Sequence, residues 1–230
     1  MRTRRLAAVL TLGALALTGC GSDLGSPGAA GAAAVVGDEE ISLDTVDDFA
    51  EVYCEFQTPA LQQSEQKAPM MVFRSAGLDV LVQEEVARQY AEAHDLEPGP
   101  VYNQLMAEVP TQAQSGGVPQ AVLGPFTEYM KVANYTEAVY ILAGEAQLGE
   151  GVEPQGAADE GHAAVTEWAA DLAVARDPRF AAITADQKFE PDAGSLSLAV
   201  SDPAKLSIGE GDQAKSNAYI ASLPADQVCG

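Results

Sequence analysis

The feature that most constrains the fold is a long helical pattern of apolar residues over positions 126–148. Two neighbouring apolar stripes run along it, one through Met130 and Tyr140 and the other through Tyr135 and Val139. A helix on the surface of a globular protein needs only one such stripe, so two stripes predict a helix that is buried on more than one side. The rest of the fold must therefore pack around this segment.

Composition supports a mainly α fold. Apolar residues make up 47% of the 230 residues but aromatic residues only 6%, and much of the apolar fraction is alanine, the strongest helix former. The chain has 12 Lys and Arg against 34 Asp and Glu, a formal net charge of −22. Nucleic acid is therefore excluded as a partner, because affinity for phosphate backbones comes from basic residues.

Shorter amphipathic patterns predict further helices on both sides of the central one. Their expected boundaries follow from capping residues and prolines. Ser42 begins a helix that ends before Pro59, Pro69 opens a second, residues 101–109 form a third that is stopped or kinked at Pro110, and Asp159 caps a fourth.

A small sheet is predicted from the two ends of the chain. Residues 195–200 alternate between polar and apolar side chains with the period of a strand. Residues 33–36 form a short apolar run before a turn at Gly37-Asp38. Since a strand needs a neighbour, we expect the N-terminal strand to pair with this late C-terminal strand.

The first twenty residues have the pattern of an export signal. Arginines within the first five positions precede an apolar stretch over 6–19, which is shorter than the about 20 residues of a membrane-spanning helix. The stretch ends in Leu17-Thr18-Gly19-Cys20, which resembles the lipobox of bacterial lipoproteins. The resemblance implies that Cys20 is lipidated after cleavage of residues 1–19; the alternative is an ordinary signal peptide. Residues 20–32 would be a flexible tether and 33–230 the domain.

Two cysteines remain after lipidation, Cys54 and Cys229. Disulfides persist outside the cytoplasm, so an even remainder of two favours one bridge over two free thiols. Such a bridge would tie the C-terminal tail to the first helix.

The run AVVGDEEISLDTVD over residues 34–47 resembles the start of a SurA-type N-terminal chaperone domain. That family begins with a strand, a turn and a helix with this spacing, and related domains occur in PrsA-type foldases and trigger factor. The resemblance implies a helix-rich body over about 33–200 and a late segment that returns to the first strand. Residues 176–180 and 195–200 resemble actinobacterial lipoproteins of this type.

One part of the family pattern is missing. SurA- and PrsA-like proteins usually carry a parvulin prolyl isomerase domain with a Gly-Gly-Asp-Leu-Gly turn and substrate-facing histidines. Here Asp23-Leu24-Gly25 lies in the predicted tether, and the histidines, His94 and His162, lie in helical contexts. We therefore expect no isomerase module, although a degenerate prolyl isomerase remains the enzymatic alternative.

Candidate client-binding residues cluster near the first two predicted helices, where they would line an apolar groove: Tyr53, Phe56, Met70, Met71 and Phe73. Methionine-rich surfaces adapt to varied partners, but the same residues would also suit an ordinary core. The acidic clusters at 38–40 and 44–48 are typical of a solvated surface, or they recruit cationic clients.

No catalytic, cofactor or metal site is predicted. Glu160-Gly161-His162 lacks the paired histidines of a helical zinc site. The expected function is thus that of a lipid-anchored protein on the extracytoplasmic face of the cell membrane, which binds unfolded or exported polypeptides as a chaperone does. The alternative to this hypothesis is an envelope adaptor or structural lipoprotein that binds one folded partner.

Anchoring is testable at the lipobox cysteine. We expect Cys20→Ala to leave the membrane fraction or to accumulate as the uncleaved precursor, because the thioether lipid has no other attachment atom. Fractionation with immunoblotting measures this, and Ser22→Ala, two residues later, is the matched control. A correctly cleaved Cys20→Ala protein that stays in the membrane fraction would contradict the lipoprotein interpretation.

Overall fold

The computed structural model describes residues 31–149, 151–177, 179–180, 182–183, 189–190, 201–207 and 213–230. Its helices are α1 (Leu43–Gln63), α2 (Met70–Ala93), α3 (Gly99–Ser115), α4 (Leu123–Leu148), α5 (Pro154–Ala169), α6 (Asp202–Ser207) and α7 (Gln213–Ser222). Its strands are β1 (Ala32–Val36), β2 (Glu39–Ser42), β3 (Ala68–Pro69), β4 (Val174–Arg176), β5 (Ala182–Ile183), β6 (Phe189–Glu190) and β7 (Val228–Cys229). Cys20, the signal segment and most of the tether lie outside the described residues.

A mainly helical fold with a small antiparallel sheet is confirmed. Strand β1 lies in the middle of a three-stranded sheet, between β2 and β4, and all five of its residues are buried. The late strand that pairs with it is β4, so residues 34–36 have neighbours on both sides. The partner predicted for β1 is therefore wrong, because β2 and β4 take both of its edges at residues 34–36. Residues 195–200 themselves lie outside the described residues.

The capping residue of α1 is confirmed, since the Thr45 backbone N–H donates to the Ser42 hydroxyl oxygen over 3.0 Å. The predicted end before Pro59 is wrong, because α1 continues through Pro59 to Gln63. A proline inside a helix removes one backbone hydrogen bond. Here Tyr53 packs against Phe73 of α2, and Phe56 packs against Tyr129 of α4. This packing holds α1 against its neighbours and offsets the lost hydrogen bond.

Two further helix boundaries differ from prediction, each for its own reason. Helix α3 is not stopped at Pro110 but runs on to Ser115, because Val109 and Ala113 both pack against Phe126 of α4. Asp159 does not cap α5, which begins five residues earlier at Pro154. Proline is well suited to the first turn of a helix, where its missing N–H costs no hydrogen bond.

The predicted burial of α4 on more than one side is confirmed, since α4 packs against α1, α2, α3 and α5. The largest core cluster lies where β1 and α1 meet α2, around Val36, Val46 and Leu78. Asp79 of α2 forms an ion pair with Arg176 of β4, which ties the sheet to this core.

The closest helix contact joins α4 and α5 through two glycines. A Cβ atom at Gly161 would overlap the backbone carbonyl of Tyr140, and one at Gly144 would overlap the carbonyl of Ala157. The backbones of the two helices therefore approach each other more closely than any side chain at these positions would allow.

The predicted Cys54–Cys229 disulfide is present, with a Cα–Cα distance of 5.7 Å. Next to it β7 pairs with β3, the short strand that precedes α2. The C-terminal residues are thus joined to both α1 and the start of α2. Within the described ranges, no helix has both the length and the apolar character needed to cross a membrane.

The backbone contact at Gly161 predicts that the same glycine-to-alanine substitution has very different effects on stability at two positions of α5. We expect Gly161→Ala to lower the free energy of unfolding by about 1–3 kcal/mol, because α4 and α5 must separate to admit the methyl group. Gly156→Ala in the same helix is the matched control: its Cβ would meet only Val152, at 3.7 Å. The control should be neutral or stabilising by up to about 1 kcal/mol through helix propensity.

Urea denaturation followed by circular dichroism measures both variants. Equal stability of the Gly161→Ala and Gly156→Ala proteins would show that α4 and α5 do not meet at Gly161.

Candidate functional site

An open groove of about 960 Å³ lies where the β1–β2 turn meets α2 and the end of α5. We call it the Trp168 groove. Its lining residues come from four separate segments of the chain: Gly37, Asp38 and Glu39; Glu85, Arg88, Gln89, Glu92 and Ala93; Trp168; and Leu172 and Ala173. This volume is within the range of known ligand pockets, about 300–1,000 Å³.

Backbone and side-chain hydrogen bonds hold the walls of the groove together. The Gly37 N–H donates to the Ala173 carbonyl over 2.7 Å, and this bond joins the β1–β2 turn to the segment after α5. The Gln89 side-chain amide donates to the Val36 carbonyl over 2.8 Å and to a Glu85 carboxylate oxygen over 2.9 Å. The turn is therefore attached to both of the other walls.

Gly37 is required at the turn for two reasons. Its φ is +61°, in the left-handed region that side chains disfavour. A Cβ atom there would lie 2.8 Å from the Gln89 side-chain oxygen and 3.2 Å from Leu172. The sharp turn and the close approach of Gln89 both depend on the missing side chain.

Trp168 has the largest apolar side chain among the residues that line the groove, and it is the only tryptophan of the chain. It is half-buried, with its ring edge-on to Tyr90 of α2 at a centroid distance of 5.6 Å. Tyr90 in turn stacks on His94 at 4.0 Å. Because aromatic pairs of this kind orient the rings, the indole has a defined position at the edge of the core.

The groove is strongly acidic. Its one basic residue, Arg88, contacts Glu84 at 2.8 Å and Glu85 at 3.3 Å and lies 5.1 Å from the centre of the Tyr135 ring. Burial raises the pKa of Glu84, and the charge of Arg88 acts against that rise. The groove therefore combines an apolar indole with an excess of carboxylates.

The predicted client-binding residues do not form an open groove together. Met70 and Phe73 are only 7% and 6% exposed and pack with Ala50 and Cys229 beneath the disulfide. For these two residues the prediction of a groove wall is wrong, because the C-terminal strand β7 covers them. They are core residues of α2.

The other three candidates are half-buried: Tyr53, Phe56 and Met71. The Tyr53 ring meets Phe73 edge-on at 5.5 Å, and Phe56 lies 5.1 Å from Phe126 of α4. Burial also raises the pKa of the Tyr53 hydroxyl. These rings attach α1 to its neighbours, which favours the core interpretation.

A second cleft, of about 900 Å³, lies between residues 65–67 and the C-terminal segment. Its apolar wall includes Ile220, Leu223 and Val228. Because its two sides belong to segments that the Cys54–Cys229 bridge connects, its shape depends on that bridge.

Neither histidine belongs to a metal site in the described part of the chain, where no group of three or more metal-binding side chains occurs. His94 directly follows the last residue of α2, and its Nδ1 lies 2.9 Å from the Tyr90 carbonyl oxygen. His162 lies within α5 against the Tyr140 ring.

Sequence reasoning identified parts of the Trp168 groove but not the groove. The turn at Gly37-Asp38 and the acidic cluster beside it are visible in the sequence, and they supply Gly37, Asp38 and Glu39 to the lining of the groove. The missing information was the contact between the β1–β2 turn and α2, which joins residues 53 positions apart.

No family model, curated protein or solved structure matches this chain. The likeness to SurA-type domains thus rests on the opening motif at residues 34–47 and stays a prediction.

The turn predicts a measurable difference between two glycines with similar backbones. Gly37 and Gly117 have φ values of +61° and +68°, but nothing lies within 4 Å of a Cβ at Gly117. We expect Gly117→Ala to cost about 1 kcal/mol of stability through backbone strain alone. Gly37→Ala should cost about 1 kcal/mol more, because Gln89 must give up a hydrogen bond.

Thermal and urea denaturation of the two variants measure this difference. Equal losses would mean that Gln89 does not hold the turn.

Proposed function

We propose that this chain is a lipid-anchored, extracytoplasmic binding protein of chaperone type. In this proposal, segments of unfolded or exported polypeptides bind in the Trp168 groove. The observation that carries the proposal is the groove itself, an open surface lined by an indole, a leucine and several charged side chains. The anchoring part of the proposal depends on the lipobox pattern at residues 17–20.

The apolar side chains that line the groove suit varied partners. Burial of apolar surface is non-directional, so Trp168 and Leu172 contact aliphatic or aromatic side chains without demanding one sequence. Tryptophan adds a large contact area at low cost in side-chain entropy. Binding of this kind is broad and individually weak, as a chaperone requires.

The rigid walls suit repeated binding and release. The turn is bonded to α2 and to the segment after α5, so the groove does not have to be ordered when a segment enters. A preformed site avoids the free-energy cost of ordering loops on binding. Affinity then depends on what the bound segment contributes.

The groove replaces the α1–α2 surface as the candidate binding site. Met70 and Phe73 are covered by the C-terminal strand, whereas Trp168 borders an open volume. Tyr53 and Phe56 keep a structural role in this proposal, because they attach α1 to the core.

The experiment compares suppression of aggregation by variants of the chain from Gly21 onward, with light scattering of several unrelated unfolded proteins as the measurement. Trp168→Ala should require about tenfold more protein for the same suppression, because it removes most of the apolar contact area. Trp168→Phe should retain most of the effect. Tyr102→Ala, a half-buried aromatic on α3, is the matched control and should behave as the unchanged chain.

A second variant separates binding from stability. Ala93→Gln adds a polar side chain to the groove at an exposed position, so no packed contact is lost. It should also weaken suppression. If Trp168→Ala and Ala93→Gln both suppress aggregation fully, the groove is not the binding site.

The alternatives give different results in the same set of assays. An adaptor would bind one folded envelope protein tightly and leave unrelated clients unaffected. A degenerate isomerase would accelerate proline isomerisation of a peptide in a protease-coupled assay. We expect neither of these results.

A further inference from the structure

We infer that the Trp168 groove selects polypeptide segments that carry lysine or arginine beside apolar residues. This inference rests on the proposed function and specifies which segments bind. It follows from how the charges and the indole are arranged around one another in the groove.

The carboxylates of the groove come from two elements. Asp38 belongs to the β1–β2 turn and Glu39 begins β2, whereas Glu85 and Glu92 belong to α2. A segment in the groove therefore meets negative charge from two separate parts of the chain. Exposed pairs contribute little one at a time, but several carboxylates around one cation add to a common field.

The basic residue of the groove does not neutralise this field. The Arg88 guanidinium is engaged by Glu84 and Glu85 on its own helix. Asp38, Glu39 and Glu92 are exposed and have no ion-pair partner among the residues that the structure describes. Three carboxylates thus remain for a bound cation.

The indole favours the same partner. A lysine or arginine head group is attracted to the face of an aromatic ring. Among the aromatic side chains of proteins, tryptophan gives the strongest attraction of this kind. The long apolar stems of these side chains also pack along apolar surface while the charge reaches polar groups. Trp168 and Leu172 offer that surface in the same groove as the carboxylates.

The same charges argue against other occupants. An anionic lipid surface, an acidic peptide or a second copy of this chain, whose net charge is −22, would be repelled by these carboxylates. The complementary partner is a cationic, partly apolar polypeptide segment.

The test uses the full chain, purified in a mild non-ionic detergent, and three aromatic-free twelve-residue peptides. Each peptide has the same leucine and alanine core, flanked by lysines, glutamates or glutamines. Since Trp168 is the only tryptophan of the chain, its fluorescence reports binding in the groove directly. At low salt we expect the lysine peptide to bind about tenfold tighter than the glutamine peptide, and the glutamate peptide more weakly still.

Two triple variants with the same change in net charge separate the groove from the overall acidity. Asp38→Asn, Glu39→Gln and Glu92→Gln together should remove most of the preference for lysine. Glu51→Gln, Glu55→Gln and Glu108→Gln, all exposed outside the groove, form the matched control and should keep it. Raising the salt to about 1 M, where the Debye length is about 3 Å, should also remove the preference.

The possible failures are distinguishable. Equal binding of the lysine and glutamate peptides, each with a Trp168 signal, would overturn the charge selection and leave the groove as a binding site. Equal weakening by both triple variants would place the attraction on the whole acidic surface and overturn the inference. Failure of every peptide to bind would also overturn it, and combined with no suppression of aggregation it would overturn the proposed function as well.

Discussion

The burial of β1 is the constraint on which the rest of the structure depends. Its five residues are enclosed by β2 on one edge, β4 on the other and the helices beneath. A strand without side chains exposed to water on either face cannot persist unless all of its neighbours are in place. β1 therefore joins the first described residues to a segment about 140 positions later along the chain. The β1–β2 turn, and with it one wall of the Trp168 groove, has its position because β1 is held there.

Local patterns in the sequence predicted the helices well and their ends less well. The cap at Ser42 and the two apolar stripes of α4 depend on neighbours within a few residues, so they are visible in the sequence alone. The continuation of α1 through Pro59 and of α3 through Pro110 depends on packing against other elements. Tertiary contacts of this kind override the local effect of a proline, and no local pattern reports them.

The candidate site likewise combines features that the sequence alone predicts with features that depend on distant contacts. The disulfide was predictable from the number of cysteines and the pattern of an export signal, because neither requires knowledge of distant contacts. The aromatic and methionine residues of α1 and α2 were visible as a cluster, but the strand that covers Met70 and Phe73 comes from the far end of the chain. The Trp168 groove escaped prediction for the same reason, since its walls meet only after the chain has closed on β1.

The glycine crossing between α4 and α5 has a mechanical consequence for the groove. Gly161 and Trp168 are seven residues apart on the same helix, and at 1.5 Å per residue the indole stands about 10 Å along the axis from the crossing point. Gly144 and Gly161 bring α5 into backbone contact with α4 at two points, so the helix that carries Trp168 is fixed along its length. A side chain at either glycine would displace α5, and with it the indole, at a distance from the groove. The width of the groove therefore depends on backbone contacts that no bound segment touches.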